Sequence, residues 1–279
     1  MKKTYILSIL LSSALLLCAS LSFAKSQHQQ MLQVSILKCG TNLGNKCIQL
    51  LTNRKPIYNV SSITLTEKER LSKYFLIDSE KHLNALMNLP ANAFWWMHLL
   101  YDPAIATALE KNKSKLFFMY RDPRDQIISF IFYYMKIYNT TIDVHDAITD
   151  LITQGALYGE RPIVNHNINE LYQRYLPWMQ YPGILNIRFE DLVGSRGGGS
   201  DEKQLETVHA IARHLELTRS DEELKIVAES LFGPNLSHTF RQGQIGGWKE
   251  YFTDEHKRLF KEVAGQLLID LGYEQDLNW

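Results

Sequence analysis

Cysteine is scarce in this chain: three among 279 residues, of which Cys39 and Cys47 fall in one short segment. That number excludes a small disulfide-stapled scaffold, and two cysteines in one turn-helix stretch are poorly placed to bridge each other. Net charge is missing too, because thirty Lys and Arg balance thirty Asp and Glu. Bulk charge therefore gives no case for a nucleic acid or an acidic membrane surface as partner. Internal repeats are absent, and no Cys/His set has metal-ligand spacing. What is present is 45% hydrophobic, 11% aromatic and 22% charged residues, the composition of a packed globule rather than a disordered or collagen-like chain. The length suits one large α/β domain or two small ones.

The first 24 residues stand apart. Lys2 and Lys3 give a positive start, Ile6 to Leu17 an apolar run, and Ser22-Phe23-Ala24 small residues at a cleavage site. This pattern predicts a signal peptide at 1–24 and export of the globule at 25–279; about a dozen apolar residues is short for a spanning helix. A retained N-terminal anchor, and hence membrane attachment, is the other reading. Cys18 follows bulky Leu17, which argues against a lipoprotein site.

Beyond the leader, short apolar runs alternate with helical periodicity. Met31 to Leu37, Leu116 to Tyr120 and Gly183 to Phe189 read as strands. Each is followed by a helical pattern: through Leu50 and Leu51, through Ile127, Ile128, Ile131 and Met135, and through Leu205, Val208, Ala212 and Leu215. Phe260, Val263, Leu267 and Leu271 mark a last helix. Such alternation predicts a single α/β domain with a mostly parallel central sheet flanked by helices. The Arg196-Gly-Gly-Gly-Ser200 stretch is then a loop inside that domain.

In such a sheet ligands bind beyond the carboxyl ends of the strands, against helix N-termini. Lys38-Cys39-Gly40-Thr41-Asn42 lies at such an end. Gly40 permits close backbone approach, Thr41 adds a hydroxyl, and Lys38 supplies a mobile charge. A nucleotide-triphosphate P-loop fits poorly, since Asn45 replaces its second Gly and Cys47 its Ser/Thr. A second strand end carries Arg121, suited to a bidentate phosphate grip, with Ser129 two helical turns on. Arg121-Asp-Pro-Arg124 also reads as a solvated, salt-bridged helix start. The third cluster, Phe240 to Lys249, interleaves glycine and glutamine with Arg241 and Lys249 in a donor-rich loop.

In this order the three clusters resemble the sulfotransferases that use 3′-phosphoadenosine 5′-phosphosulfate (PAPS), over nearly all of Val34 to Trp279. Leu37-Lys38-Cys39-Gly40-Thr41-Asn42-Leu43 is similar to the family's 5′-phosphosulfate loop, matching at Lys, Gly and Thr. Arg121 and Ser129 resemble its 3′-phosphate motif. Arg241, Gly243, Gly246, Trp248 and Lys249 resemble its last motif, and Phe189-Glu190-Asp191-Leu192 its Tyr-Glu-Asp segment. A base is implied some twenty residues before Arg121, where His98 sits within Trp95-Trp96-Met97-His98-Leu99; by itself that His reads as a packed core residue.

The resemblance implies a P-loop-like 5′-phosphosulfate turn and sulfuryl transfer from PAPS without a metal. His98 would take the acceptor proton and Lys38 would offset charge on the leaving phosphate. It implies donor contacts from Lys38, Cys39, Gly40, Thr41, Asn42, Arg121, Ser129, Phe189, Arg241, Gln242 and Gly243, with Trp248 as packing support. Trp96, Met97, Leu43 and Gln242 depart from the pattern at the Lys and Thr beside the base, the adenine-stacking aromatic and the Lys after the final Arg. The family's dimer segment survives only as Lys249 and Thr253, so the oligomer is left open. The acceptor is a small molecule, a glycan or a lipid. Phe94, Trp95, Trp96, Phe130, Phe132, Tyr133 and Tyr134 line its pocket or fill the core. A non-catalytic nucleotide-binding module is the rival reading.

Overall fold

The structure, a computed structural model, describes residues 30–57, 94–155, 167–233 and 241–279. The leader at 1–24, with Cys18, and Phe240 lie outside the described residues. Four strands form one sheet: β1 (Met31–Ser35), β2 (Phe94–Met97), β3 (Lys115–Tyr120) and β4 (Ile184–Arg188). Their order is β2-β1-β3-β4, with every pairing parallel. The helices are α1 (Thr41–Thr52), α2 (Pro103–Lys111), α3 (Pro123–Tyr138), α4 (Val144–Thr153), α5 (Ile168–Gln173), α6 (Phe189–Leu192), α7 (Asp201–His214), α8 (Asp221–Glu229) and α9 (Asp254–Asp270). The single α/β domain with a helix-flanked parallel sheet is thus observed.

A parallel sheet must be covered on both faces, and side chains on a strand alternate between them. Leu32, Val34, Leu116, Phe118 and Trp95 enter one core with Ile127, Ile128 and Ile131 of α3 and Phe260, Leu267 and Leu268 of α9. Met31, Phe117, Met119 and Phe94 enter the other with Leu43, Cys47, Ile48 and Leu51 of α1 and Val208, Ile211 and Ala212 of α7. The central strand β1 is buried throughout.

Two expectations shift. The strand read as Met31 to Leu37 ends at Ser35, because the Cys39 N–H turns back to the Ile36 carbonyl at 3.1 Å. The run around Trp95 supplies an edge strand, with Val34 opposite Met97, and so delivers His98 to the carboxyl end of β1.

Candidate active site

The carboxyl end of β1 is a tight turn built from uncommon backbone. Lys38 has φ 68° and Gly40 has φ 96°, both left-handed. For a lysine that conformation costs on the order of 1–3 kcal/mol, and such strain clusters at functional sites. A Cβ on Gly40 would lie 2.6 Å from Phe189 Cδ2 and 2.8 Å from Met119 Cε, so only glycine fits. Gly40 also begins α1, which has no side-chain cap, unlike α2 and α3 with Asp102 and Asp122. The first-turn amides of α1 therefore face the strand ends with the positive end of the helix dipole.

The turn is pinned from beneath. Gln126 Nε2 donates to the Leu37 carbonyl at 3.0 Å, and Gln33 Nε2 donates to the Thr41 carbonyl at 2.9 Å. The Ser35 and Thr41 hydroxyls lie 2.8 Å apart. Cys39 turns its thiol away, 3.7 Å from the Tyr172 hydroxyl; burial pushes the thiol up to about 12. Its contribution to any ligand is its backbone. Asn42 sits half-buried in the first turn of α1.

His98 follows β2 directly, and its Nδ1 lies 2.9 Å from the Ser35 carbonyl oxygen and 3.2 Å from the Ser35 hydroxyl. A carbonyl only accepts, so Nδ1 carries the hydrogen and Nε2 is the basic nitrogen of the neutral ring. Burial, with Lys38 nearby, lowers the imidazole to about 4, although the Ser35 carbonyl works the other way. The Trp96 ring meets His98 edge-on with centroids 5.7 Å apart.

Lys38 Nζ stands over the Tyr133 ring at 4.1 Å from its centroid. Burial first, and then the Arg121, Lys136 and Arg241 cations, together lower this ammonium to about 8. Lys38, Arg121 and Arg241, one from each of the three clusters of the sequence, thus share one field with Lys136. The Arg121 guanidinium rests on the Phe189 ring at 4.2 Å, and Arg241 rests on the Phe132 ring at 4.2 Å. Phe189 is buried between Arg121 and Gly40, the position of a support under both. Arg121 Nη2 donates to the Gln244 carbonyl at 2.6 Å, while its Nε is buried with no acceptor among the described residues. An unpaired buried donor on a cation is what an anionic ligand would satisfy.

Ser129 lies half-buried on α3, one turn from Asp125 and one turn from Phe132 and Tyr133, on the face that carries the Arg241 and Lys38 contacts. Gln242 is exposed, and Gly243 has φ 65°. The helix-start reading of Arg-Asp-Pro-Arg fits Arg124 in its salt bridges but not in its solvation, since Arg124 is buried, bonds Asp122 and Glu274 and stacks between Trp248 and Trp279. Trp248 is buried there as packing. Of the seven aromatics, Phe94, Trp95 and Tyr134 belong to the core and Phe130 packs half-buried against it, whereas Trp96, Phe132 and Tyr133 touch His98, Arg241 and Lys38. Leu43 is buried in the second core. Among the described residues no three His, Cys, Asp or Glu cluster as metal ligands, and no helix is long and apolar enough to cross a membrane.

Asp125 and Lys136 escaped the sequence reading as site residues. Asp125 stands four residues after Arg121, a spacing that places the pair on neighbouring helical positions. Lys136 carried no such signal.

The sulfotransferase domain family matches residues 28–232. The chain belongs to the sulfotransferase family. This sulfotransferase is 25% identical to human Sulfotransferase 6B1 over 283 aligned positions, covering 90% of this chain and 82% of the human protein. Mouse Sulfotransferase 6B1 is 24% identical over 213 positions, 71% of this chain and 66% of the mouse protein, just under two thirds of its length. Rabbit (Oryctolagus cuniculus) amine sulfotransferase is 24% identical, with 68% of this chain covered and 67% of the rabbit protein. Among solved structures, mouse sulfotransferase SULT7A1 complexed with PAP shares the fold at a TM-score of 0.60 and 18% identity, covering 87% of this chain and 89% of that one. A sulfotransferase from Alicyclobacillus acidocaldarius gives 0.50 and 14%, with coverages of 88% and 96%.

Proposed function

We propose that this sulfotransferase moves a sulfuryl group from PAPS to a hydroxyl or amine, with His98 as general base and Lys38 as the cation at the leaving phosphate. The observation that carries this reading is the junction at Ser35 to Gly40. One turn of chain brings His98, with its tautomer set by the Ser35 carbonyl, beside the strained Lys38 ammonium. The orphan Nε of Arg121 and the shared field of Lys38, Arg121, Lys136 and Arg241 fit a ligand bearing both a phosphosulfate and a second phosphate.

PAPS supplies the sulfuryl group and a good phosphate leaving group. The chain's own residues do the rest. His98 Nε2 accepts the acceptor's proton, and Nδ1 stays hydrogen-bonded to Ser35, so the ring need not reorient. Lys38 Nζ, held on the Tyr133 face, meets negative charge as it grows, which is stabilisation specific to the transition state. The first-turn amides of α1 take the 5′ anion. Arg121, Ser129, Arg241 and Gly243 take the 3′-phosphate.

The acceptor is a small molecule, glycan or lipid whose reactive group reaches His98 past Trp96 and Tyr133, both half-buried. The name of the rabbit relative keeps amines in that set. Export through residues 1–24 is the proposed destination, or membrane attachment if the leader is retained; mass spectrometry of the N-terminus with cell fractionation decides between them. The activity itself is tested with radiolabelled PAPS and an acceptor library. Transfer that depends on donor and acceptor is the expected result. Tight calorimetric binding of adenosine 3′,5′-bisphosphate without transfer to any acceptor would instead make the chain a nucleotide-binding module.

A further inference from the structure

The loop from Arg241 to Trp248 has no regular structure until Gly247, and Gly243 and Gly246 both adopt left-handed backbone at 65° and 74°. Local preference holds such a segment weakly, because glycine-rich chain has much conformational entropy to lose. Its position is set by distant groups. Asp125, 2% exposed in the first turn of α3, accepts from the Gly246 amide at 2.8 Å through Oδ2 and from the Trp248 amide at 2.9 Å through Oδ1. The same Oδ2 lies 3.5 Å from Arg121 Nη2, and that nitrogen donates to the Gln244 carbonyl at 2.6 Å. On its outer side the loop is tied by Ile245 N to the Gly197 carbonyl and by Gln244 Nε2 to the Arg196 carbonyl, each at 2.9 Å.

From this arrangement we infer that Asp125 is the positioning residue that assembles the 3′-phosphate subsite, docking the Arg241 loop onto Arg121. The inference rests on the reading of the donor as a nucleotide with phosphates at both ends. A buried carboxylate is costly unless it is paired, and here both oxygens are committed to the loop amides and the guanidinium. An asparagine could offer one acceptor but would turn an N–H toward the second amide and remove the carboxylate 3.5 Å from Arg121 Nη2. Loss of the carboxylate leaves the buried Trp248 amide or the half-buried Gly246 amide, or both, without its acceptor, so the docked loop becomes a minor state. Apparent affinity for whatever needs Arg241 and Gly243 then falls by the fraction still docked. Contacts made by Lys38 and the α1 amides do not pass through Asp125.

The test is calorimetry of the full chain with adenosine 3′,5′-bisphosphate and with adenosine 5′-phosphate, for the wild type, Asp125→Asn and Asp125→Ser. In both variants the bisphosphate should lose about 10–100-fold in affinity, as for a hydrogen bond to a charged group. Adenosine 5′-phosphate should change less than about threefold, so that preference for the 3′-phosphate collapses. In turnover, KM for PAPS should rise while kcat stays within about threefold. Faster hydrogen exchange at the Gly246 and Trp248 amides should accompany the loss. Equal losses for both nucleotides, an unchanged bisphosphate affinity, or failure of both variants to fold would overturn the assignment. A wild-type chain that binds neither nucleotide would instead overturn the donor reading on which it rests.

Discussion

His98 and Ser35, 63 positions apart, are joined by a hydrogen bond of 2.9 Å from the imidazole Nδ1 to the backbone carbonyl. The partner is main chain, so no side-chain substitution at Ser35 removes it. His98→Ala should lower kcat/KM by about two orders of magnitude or more, the range of a lost general base. Ser35→Ala keeps the carbonyl bond, removes the longer hydroxyl contact to His98 at 3.2 Å together with the 2.8 Å pairing to the Thr41 hydroxyl, and should cost less than about tenfold. Steady-state kinetics of the two variants, with equal far-ultraviolet circular dichroism, checks the assignment; near-wild-type activity in His98→Ala would sink it.

The pH profile follows from the same environment. Burial takes His98 from an ordinary 6.5 to about 4, and burial with three neighbouring cations takes Lys38 from 10.5 to about 8. The acid limb of kcat/KM should therefore fall near pH 4 and the alkaline limb near pH 8, since this parameter reports the free enzyme. A bound anion restores charge to Lys38, so the alkaline limb of kcat should lie at higher pH. Stability moves in step. The unfolded chain holds the His98 proton between about pH 4 and 6.5 while the folded chain does not, so this contribution is complete above pH 6.5 and is lost as pH falls toward 4. The Lys38 contribution likewise grows as pH climbs from about 8 to 10.5. An acid limb at pH 6.5 would contradict the buried, neutral ring.

Lys38 separates chemistry from stability. Its φ of 68° suits glycine, which adopts that region without strain. Lys38→Gly should leave the thermal midpoint unchanged or raise it, while transfer falls by about 100-fold or more with the loss of the cation. A calorimetric scan beside a rate measurement tests both halves. A large fall in the midpoint would mean that the Lys38 stem on Tyr133 holds the turn.

Gly40→Ala should do the opposite. The new methyl meets Phe189 at 2.6 Å and Met119 at 2.8 Å, and the residue must hold φ 96°. A cost of about 1–3 kcal/mol is expected, read as a lower midpoint in urea. Because Phe189 also carries the Arg121 guanidinium, bisphosphate affinity should fall together with stability.

Legibility in the sequence followed the range of the interactions. The runs of β1, β3 and β4 and the helices after them could be read because burial on a parallel sheet demands contiguous apolar residues. Phe94 to Met97 also had that composition, yet four residues carry no period, and only pairing with β1 makes them a strand. Lys38, Gly40 and Arg121 could be read because their chemistry is local to a strand end. Arg121 was marked by its strand end and by Ser129, but the partners of Arg124 were not legible: Glu274, Trp248 and Trp279 claim it from the far end of the chain. Asp125 was hidden for the same reason, its amide partners lying 121 and 123 positions away.

By itself, then, the sequence determined the alternating α/β domain, its family resemblance and the residue types at the strand ends, because turn conformation and side-chain chemistry act over a few residues. The tertiary structure decided which nitrogen of His98 is basic, that Arg121 keeps an open donor while Arg124 does not, and how far Lys38 is lowered. Those properties come from burial and from charges brought together by folding, and a linear pattern carries neither.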